Sequence, residues 1–248
     1  LKAKKHLLSN GIPVYYINAG TQDVIKLDVV FEAGTWFQPA NLVASLCNAM
    51  LEEGSENLTG AEIAEKFDYY GAYLQLTVDQ NQGFVNMVSL GKYLPQILEV
   101  AEEIIKRSVF PEHELDVLIA KNKQKWLLEN EKVRTLCQKK FTQVLFGDNH
   151  PYAINNQLED FDHITRDVLR DYYRKYYHSG NCHILLAGNV DNNVLELIDK
   201  HLGGNDWQQP LAKDLEYEIC SSPEKIHHVE KSGGIQSAIR VGRFWVPK

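Results

Sequence analysis

The stretch Gly71-Ala-Tyr-Leu-Gln-Leu-Thr-Val78 is followed by Asp79-Gln-Asn-Gln82 and then by Gly83-Phe-Val-Asn-Met-Val-Ser-Leu90. Apolar and polar side chains alternate with period two in the first and third of these segments, which is typical of half-buried β-strands. The four residues between them are polar and suit a turn. The sequence therefore predicts two adjacent antiparallel strands joined by a short turn.

Helices and further strands surround this pair in mixed order. Short β-branched and apolar segments predict strands, and apolar side chains spaced three and four apart predict helices. The predicted strands are 11–17, 24–31 and 182–187, and the predicted helices lie at about 41–51, 61–67, 93–107, 111–131, 133–145, 166–177 and 193–202. This mixture indicates an α+β fold, a layered sandwich in which a mixed, largely antiparallel sheet packs against helices.

The pattern changes towards the end of the sequence. Residues 208–232 are polar, contain prolines and lack a clear period, so we expect a linker there. Residues 236–246 predict one more strand, with no hairpin or helix after it. We therefore expect an α+β domain over residues 1–207, a linker over 208–232, and the first strand of a truncated second repeat over 233–248.

Composition excludes several classes of protein. The 248 residues are 44% hydrophobic and 24% charged, as in ordinary globular proteins. With 26 basic and 33 acidic residues the net charge is −7, so the chain has no general attraction for nucleic acid. No apolar run approaches the roughly 18 residues of a membrane span. The four cysteines are widely separated, and we expect isolated thiols, with two disulfides as the alternative for an exported protein.

The histidines do not form the usual pattern of a catalytic zinc site. Two zinc-binding histidines commonly lie four residues apart on a helix. His178 and His183 are instead five apart, and His227 and His228 are neighbours. The sequence also lacks a G-x-S-x-G elbow, a P-loop and a G-x-G-x-x-G fingerprint. Nucleophilic catalysis therefore has no support from the residues alone.

Seven short motifs follow one another along residues 7–207. They are Leu8-Ser-Asn-Gly-Ile-Pro-Val14, Phe31-Glu-Ala-Gly-Thr35, Met50-Leu-Glu-Glu-Gly-Ser55, Phe67-Asp-Tyr-Tyr-Gly-Ala72, Phe146-Gly-Asp-Asn-His-Pro-Tyr152, Ile164-Thr-Arg-Asp-Val-Leu169 and Leu186-Ala-Gly-Asn-Val190. In order and spacing they resemble the N-terminal half of the pitrilysin/insulinase-type (M16) zinc peptidases, the group that contains mitochondrial processing peptidase and its bacterial relatives. The resemblance implies that residues 1–207 form an N-terminal repeat of this family.

The resemblance also implies a zinc motif that this sequence does not carry. Active members have His-x-x-Glu-His on the first helix, and the corresponding window here is Ser45-Leu-Cys-Asn-Ala49. Ser45 and Ala49 stand at the positions of the two histidine ligands, and Asn48 stands at the position of the glutamate base. The third ligand of the family is a glutamate on the long helix, where the register gives Lys125.

Residues of these types cannot perform the family's chemistry. A hydroxyl and a methyl group do not bind Zn²⁺ usefully, because imidazoles and carboxylates supply the basic lone pairs. Asn48 cannot accept a proton from a zinc-bound water, and a protonated Lys125 would repel a dication. Glu129 and Glu131 lie within a slip of about one helical turn of the third position. We expect no catalytic residue, and we expect the family's zinc to be absent.

Two interpretations of Ser45, Asn48 and Ala49 remain open at this point. They line a vestigial cleft that holds an extended peptide without cutting it, or they form an ordinary small-residue helix face that packs against strands. For peptide binding, main-chain pairing with a sheet edge is the expected mode, and the candidate edge residues are Tyr73, Gln75 and Thr77.

The resemblance implies a non-catalytic homologue that helps to form a peptide-binding chamber with a catalytic partner subunit carrying an intact zinc motif. It is similar in this respect to the non-catalytic subunit of processing-peptidase-like bacterial proteins. The alternatives are an active zinc metalloendopeptidase completed by another chain and a purely structural subunit. We expect neither a nucleic-acid partner nor a membrane span. The sequence does not name a compartment, and a soluble protein of the bacterial cytoplasm or periplasm is the expectation.

Overall fold

Six strands form a single sheet in the computed structural model, which describes residues 2–20, 22–153, 156–211 and 215–245. Across the sheet the strands follow the order β1-β2-β6-β3-β5-β4, so β1 and β4 are its two edges. The strands are β1 (Lys4–Leu7), β2 (Pro13–Asn18), β3 (Val24–Phe31), β4 (Tyr73–Val78), β5 (Gly83–Leu90) and β6 (Cys182–Gly188).

The sheet is mixed and largely antiparallel. Strands β2 and β6 are parallel, and the other four neighbouring pairs are antiparallel. The predicted pair is β4 and β5, in which Gln75 lies opposite Asn86 and Tyr73 lies opposite Val88. The α+β expectation from the alternating segments is therefore confirmed.

Seven α-helices accompany the sheet within the described residues. They are α1 (Val43–Ala49), α2 (Gly60–Tyr69), α3 (Leu94–Lys106), α4 (Glu112–Asn130), α5 (Val133–Phe146), α6 (Arg166–Tyr176) and α7 (Asn192–Leu202). Thr165 and Asp191 are the N-caps of α6 and α7, and their side chains accept hydrogen bonds from the N–H groups of Val168 and Val194. None of these helices is apolar enough over the required length to cross a membrane.

The core lies between one face of the sheet and the helices. Along β5 the side chains of Val85 and Met87 are buried, whereas Phe84 and Asn86 on the other face are half-buried. Helix α1 packs against β4, β5 and α6, and α3 packs against β5 and α7. This arrangement places the short helix α1 beside the β4 edge of the sheet.

Two parts of the structure differ from the sequence prediction. Strand β1 was not predicted, because its four side chains are all exposed and show no alternation. The strand predicted over residues 236–246 is not formed at 236–245, and Val246 lies outside the described residues. Ile239 and Val241 are 87% and 92% exposed, and no described strand lies beside them to accept main-chain hydrogen bonds. The domain boundaries predicted at 207 and 232 stay predictions.

A buried histidine makes the stability of the fold depend on pH. His178 is 1% exposed, and neither ring nitrogen meets the distance and angle of a hydrogen bond with any described residue. Burial lowers the pKa of His178 below its ordinary value of 6.5, although the Lys175 backbone opposes this shift. The unfolded chain therefore binds the proton more readily, and the free energy of unfolding falls as the pH drops below about 6.5.

We predict that His178→Leu will reduce this pH dependence. Between pH 7.5 and 5.5 the variant should lose less of its free energy of unfolding than the wild type, by about 1 kcal/mol. Urea titrations at the two pH values measure this difference. The exposed His113 supplies a control, since His113→Leu should keep the wild-type dependence. An unchanged pH dependence in His178→Leu would contradict the prediction.

Candidate functional site

Helix α1 begins two residues later than the apolar pattern indicates. Leu42, the residue before it, has a φ of 72°, in the left-handed region that favours glycine. The Gln38 side chain accepts a hydrogen bond from the Ala44 N–H at 3.3 Å, and the Ser45 hydroxyl donates to the Leu42 carbonyl at 3.0 Å. The Gln38 contact binds one of the N–H groups that the first turn of a helix otherwise leaves without a partner.

The two predicted ligand positions lie on the accessible side of α1. Ser45 is exposed and Ala49 is half-buried. They are four residues apart, so their side chains share a face of the helix. On the opposite side, Leu46 and Cys47 are buried, and the Cys47 thiol donates to the Leu169 carbonyl at 3.6 Å. The helix therefore keeps the i, i+4 spacing of a ligand pair, but the side chains there are a hydroxyl and a methyl group.

Asn48, at the predicted position of the base, is part of the core. It is 1% exposed. Its amide N–H₂ donates to the Tyr177 hydroxyl at 3.1 Å and to the Phe84 carbonyl at 3.4 Å. These two bonds join α1 to strand β5 and to the residue that ends α6. Asn48 therefore stabilises the packing of three elements.

Tyr177 was not predicted as part of this site. Its ring packs on Phe31, with ring centroids 4.8 Å apart. Burial raises the pKa of Tyr177 well above its ordinary value, and nearby Cys47 adds to this, whereas the hydrogen bond from Asn48 opposes it. The hydroxyl therefore stays protonated at neutral pH. Neither member of the Asn48–Tyr177 pair can serve as a general base there.

Two acidic residues shortly after α1, Glu52 and Glu53, have shifted pKa values. Burial raises the pKa of both Glu52 and Glu53. Glu53 also raises the pKa of Glu52, and Glu114 on α4 raises that of Glu53, whereas Lys121 opposes both shifts. The sequence showed the two glutamates within a motif but did not indicate their shifted pKa.

The predicted third position, Lys125, and the alternative Glu129 lie in the C-terminal half of α4, and the alternative Glu131 directly follows the helix. Lys125 is exposed and makes no ion pair with another described residue. Glu129 pairs with Lys132 at 2.5 Å, and Glu131 pairs with Lys231 at 2.6 Å. Both carboxylates are therefore held by lysines.

The donor set does not fit a zinc ion. Ser45, Ala49 and Lys125 offer no imidazole and no carboxylate, and protonated Lys125 repels a dication. Across the described ranges, no three or more His, Cys, Asp or Glu side chains come together in a group that could hold a metal ion. We therefore assign no chemical step to a metal.

The predicted peptide-binding residues lie on strand β4, at the edge of the sheet. Tyr73, Gln75 and Thr77 are exposed on one face of the strand. One main-chain side of β4 is paired with β5, and no described strand lies on its other side. The Asn86 amide on β5 donates to the Gln75 carbonyl at 3.3 Å and to the Thr77 hydroxyl at 3.4 Å, which fixes the register beneath the exposed side chains. This edge has the geometry that strand addition requires.

Two family models match the chain. The model described as insulinase (peptidase family M16) matches residues 14–149, and the model described as peptidase M16 inactive domain matches residues 163–244. The first match includes α1 and α4, and with them Ser45, Asn48, Ala49 and Lys125. The second begins before α6 and runs through residues 208–232, which were predicted as a linker.

Curated relatives carry names from the same family. The chain is 23% identical over 235 residues to an uncharacterized zinc protease of Rickettsia felis, covering 84% of this chain and 55% of the relative. It is 27% identical over 216 residues to mitochondrial-processing peptidase subunit alpha-1 of Dictyostelium discoideum, covering 84% of this chain and 32% of the relative. The chain thus spans about half or less of the length of these relatives.

Solved structures show the same fold. The peptidase M16 inactive domain from Pseudomonas fluorescens superimposes with a TM-score of 0.81 at 23% identity, over 87% of this chain and 53% of that one. The first half of the periplasmic protease PqqL from Escherichia coli superimposes with a TM-score of 0.77 at 16% identity, over 89% of this chain and 50% of that one. With the family model matched over residues 14–149, the chain belongs to the insulinase family of peptidases, family M16.

Proposed function

We propose that the chain is a non-catalytic member of family M16 that helps to form a peptide-binding chamber with a catalytic partner subunit. The observation that supports this proposal is the set of side chains on helix α1. Its accessible face presents Ser45 and Ala49 where a ligand pair would stand, and the Asn48 amide is bound within the core. A helix built in this way packs the domain together but offers no group that activates water.

Peptide binding is proposed at the β4 edge. The free main-chain side of β4 can accept an extended peptide as an additional strand, with affinity supplied mostly by main-chain hydrogen bonds. The exposed Tyr73, Gln75 and Thr77 would contact the side chains of that peptide. Strand β4 packs against α1, so a peptide bound at its edge would pass beside Ser45 and Ala49.

The partner in this proposal is a family member with an intact His-x-x-Glu-His motif. The similarity to a protein named as the alpha-1 subunit of a processing peptidase supports an assembly of unlike chains. For the compartment we propose the bacterial cytoplasm or periplasm. The structural match to a protein whose title calls it periplasmic supports the second of these.

Co-expression tests the proposed role. The chain is produced together with an M16 homologue from the same genome that carries the intact motif, and the two are assayed for association by gel filtration and for cleavage of extended peptides. We expect a stable pair whose peptidase activity requires both chains. The partner's own Glu→Gln variant at the base position should abolish that activity, which assigns the chemistry to the partner.

Other outcomes would replace the proposal with one of its alternatives. Zinc-dependent activity of this chain by itself would show an active peptidase. A stable pair in which neither activity nor peptide binding depends on this chain would show a purely structural subunit. If no intact homologue associates with the chain, the proposed chamber is wrong.

A further inference from the structure

Residues 215–222 contact the body of the protein, although they lie in the segment predicted as a linker. We call them the strap. The Cys220 N–H donates to the Phe146 carbonyl at 3.0 Å, and the Ser222 N–H donates to the Val144 carbonyl at 2.8 Å. Both carbonyls belong to the last turn of α5, where a helix leaves its carbonyl groups without intrahelical partners. The strap therefore caps the C-terminal end of α5.

The strap also binds Trp36 in the loop after β3. The Trp36 indole N–H donates to the Leu215 carbonyl at 3.1 Å, and the Tyr217 hydroxyl donates to the Trp36 carbonyl at 3.0 Å. The rings of Trp36 and Tyr217 meet edge to face, with centroids 4.8 Å apart. On its other sides Trp36 contacts the rings of His150 and Tyr152, each at 5.5 Å between centroids.

Trp36 in turn holds the turn between β4 and β5. Three consecutive N–H groups donate to carbonyls of that turn: Gly34 to Asn81 at 2.9 Å, Thr35 to Asp79 at 3.1 Å, and Trp36 to Gln80 at 2.7 Å. The approach is so close that a Cβ added at Gly34 would lie 2.3 Å from the Asn81 carbonyl carbon. The Tyr152 hydroxyl adds a hydrogen bond to the Asn81 side chain at 2.9 Å.

We propose that the strap stabilises the β4–β5 turn, and with it the edge strand β4, through its contacts with Trp36. The contacts run without interruption from the end of α5 through the strap to Trp36 and then to the turn. Most strap residues are exposed, and four hydrogen bonds attach the strap to the body. A segment of this kind detaches locally at a lower free energy than the core unfolds. Because the strap contacts Trp36, and Trp36 contacts the β4–β5 turn, detachment of the strap should also loosen the turn and the edge strand.

Substitutions at two positions, one in the strap and one in the body, should loosen the strap. Tyr217→Ala removes the ring and the hydroxyl that bind Trp36, and Tyr217→Phe removes the hydroxyl alone. Gly147→Ala acts from the body, because a Cβ there would lie 2.9 Å from the Cys220 Cβ and the φ of 92° disfavours a side chain. The control is Ile219→Ala in the same strap, since Ile219 is 54% exposed and makes no hydrogen bond or ring contact with another described residue.

Hydrogen–deuterium exchange of the full chain measures the effect at three places. These are the strap amides of Cys220 and Ser222, the segment 34–36 with the turn 79–82, and strand β6 as an internal reference. In Tyr217→Ala and Gly147→Ala we expect exchange to become about five- to tenfold faster at the strap and at 34–36 and 79–82, with β6 unchanged. Tyr217→Phe should give a smaller increase at the same places, and Ile219→Ala should match the wild type.

Two results would overturn the inference. If the strap amides exchange faster while 34–36 and 79–82 exchange as in the wild type, the strap does not hold the turn. If neither Tyr217→Ala nor Gly147→Ala changes exchange at Cys220 and Ser222, the contacts described do not hold the strap. If Gly147→Ala disturbs the whole fold, exchange in β6 will also become faster. In that case exchange at 34–36 and 79–82 in the two Tyr217 variants tests the proposal.

Discussion

The triple variant Ser45→His, Ala49→His, Lys125→Glu is expected to bind about one equivalent of zinc, whereas the wild type binds about a tenth or less. Ser45 and Ala49 share the accessible face of α1, so two histidines there would have the i, i+4 spacing that zinc ligands use on a helix. Glutamate at 125 replaces a repelling ammonium group by a carboxylate. Asn48 is left in place, so its two core hydrogen bonds are kept.

Metal analysis after dialysis against a buffered zinc solution measures this gain. Lys125→Glu alone is the matched control and should remain near the wild type, because a single carboxylate does not hold zinc. The double histidine variant should bind more weakly than the triple variant. If the triple variant gains no zinc while its thermal unfolding stays cooperative, the register that places these residues at the family's ligand positions is wrong.

Asn48→Ala is expected to lower the free energy of unfolding by about 2–4 kcal/mol. The substitution leaves the buried Tyr177 hydroxyl without the amide that donates to it, and it leaves the Phe84 carbonyl without one of its donors. It also leaves a cavity beside the Tyr177 hydroxyl, since Asn48 is 1% exposed.

Ser45→Ala, three residues away on the same helix, is the control for this change. Ser45 is exposed and donates to the Leu42 carbonyl, so its loss should change the free energy of unfolding by about 0.5 kcal/mol or less. Denaturant titration compares the two variants with the wild type. Equal stabilities of Asn48→Ala and Ser45→Ala would show that Asn48 does not join α1 to β5 and α6.

Local periodicity predicted most of the sheet and the helices. Strand β3 has the predicted bounds, 24–31, and β5 begins and ends at the predicted residues, 83 and 90. Strand β5 could be predicted because only one of its faces is fully buried, which imposes the alternation. Strand β3 is buried on both faces over residues 27–31, and its apolar and β-branched composition predicted it instead. Of the four tyrosines near the end of α6, Tyr172, Tyr176 and Tyr177 are buried and Tyr173 is half-buried.

Long-range contacts determine what the sequence did not predict. Strand β1 forms through main-chain pairing with β2, and its exposed side chains leave no trace in the pattern. Asn48 and Tyr177 are 129 positions apart, and an asparagine on a helix does not indicate in advance which side chain it will bind. The strap lies in a polar stretch, and its composition therefore indicated a linker. Its contacts with Trp36 and with the end of α5 join residues far apart in the sequence, which composition does not show.

Zinc content tests the central claim most directly, because the claim is that Ser45, Ala49 and Lys125 supply neither an imidazole nor a carboxylate at the predicted ligand positions. The full wild-type chain is purified without chelator, equilibrated with zinc, passed through a desalting column and analysed by mass spectrometry for metals. We predict about a tenth of an equivalent or less, with no peptidase activity that a chelator abolishes. One equivalent of zinc that survives desalting, is removed by a chelator together with peptidase activity, and is lost in Ser45→Ala would contradict the account.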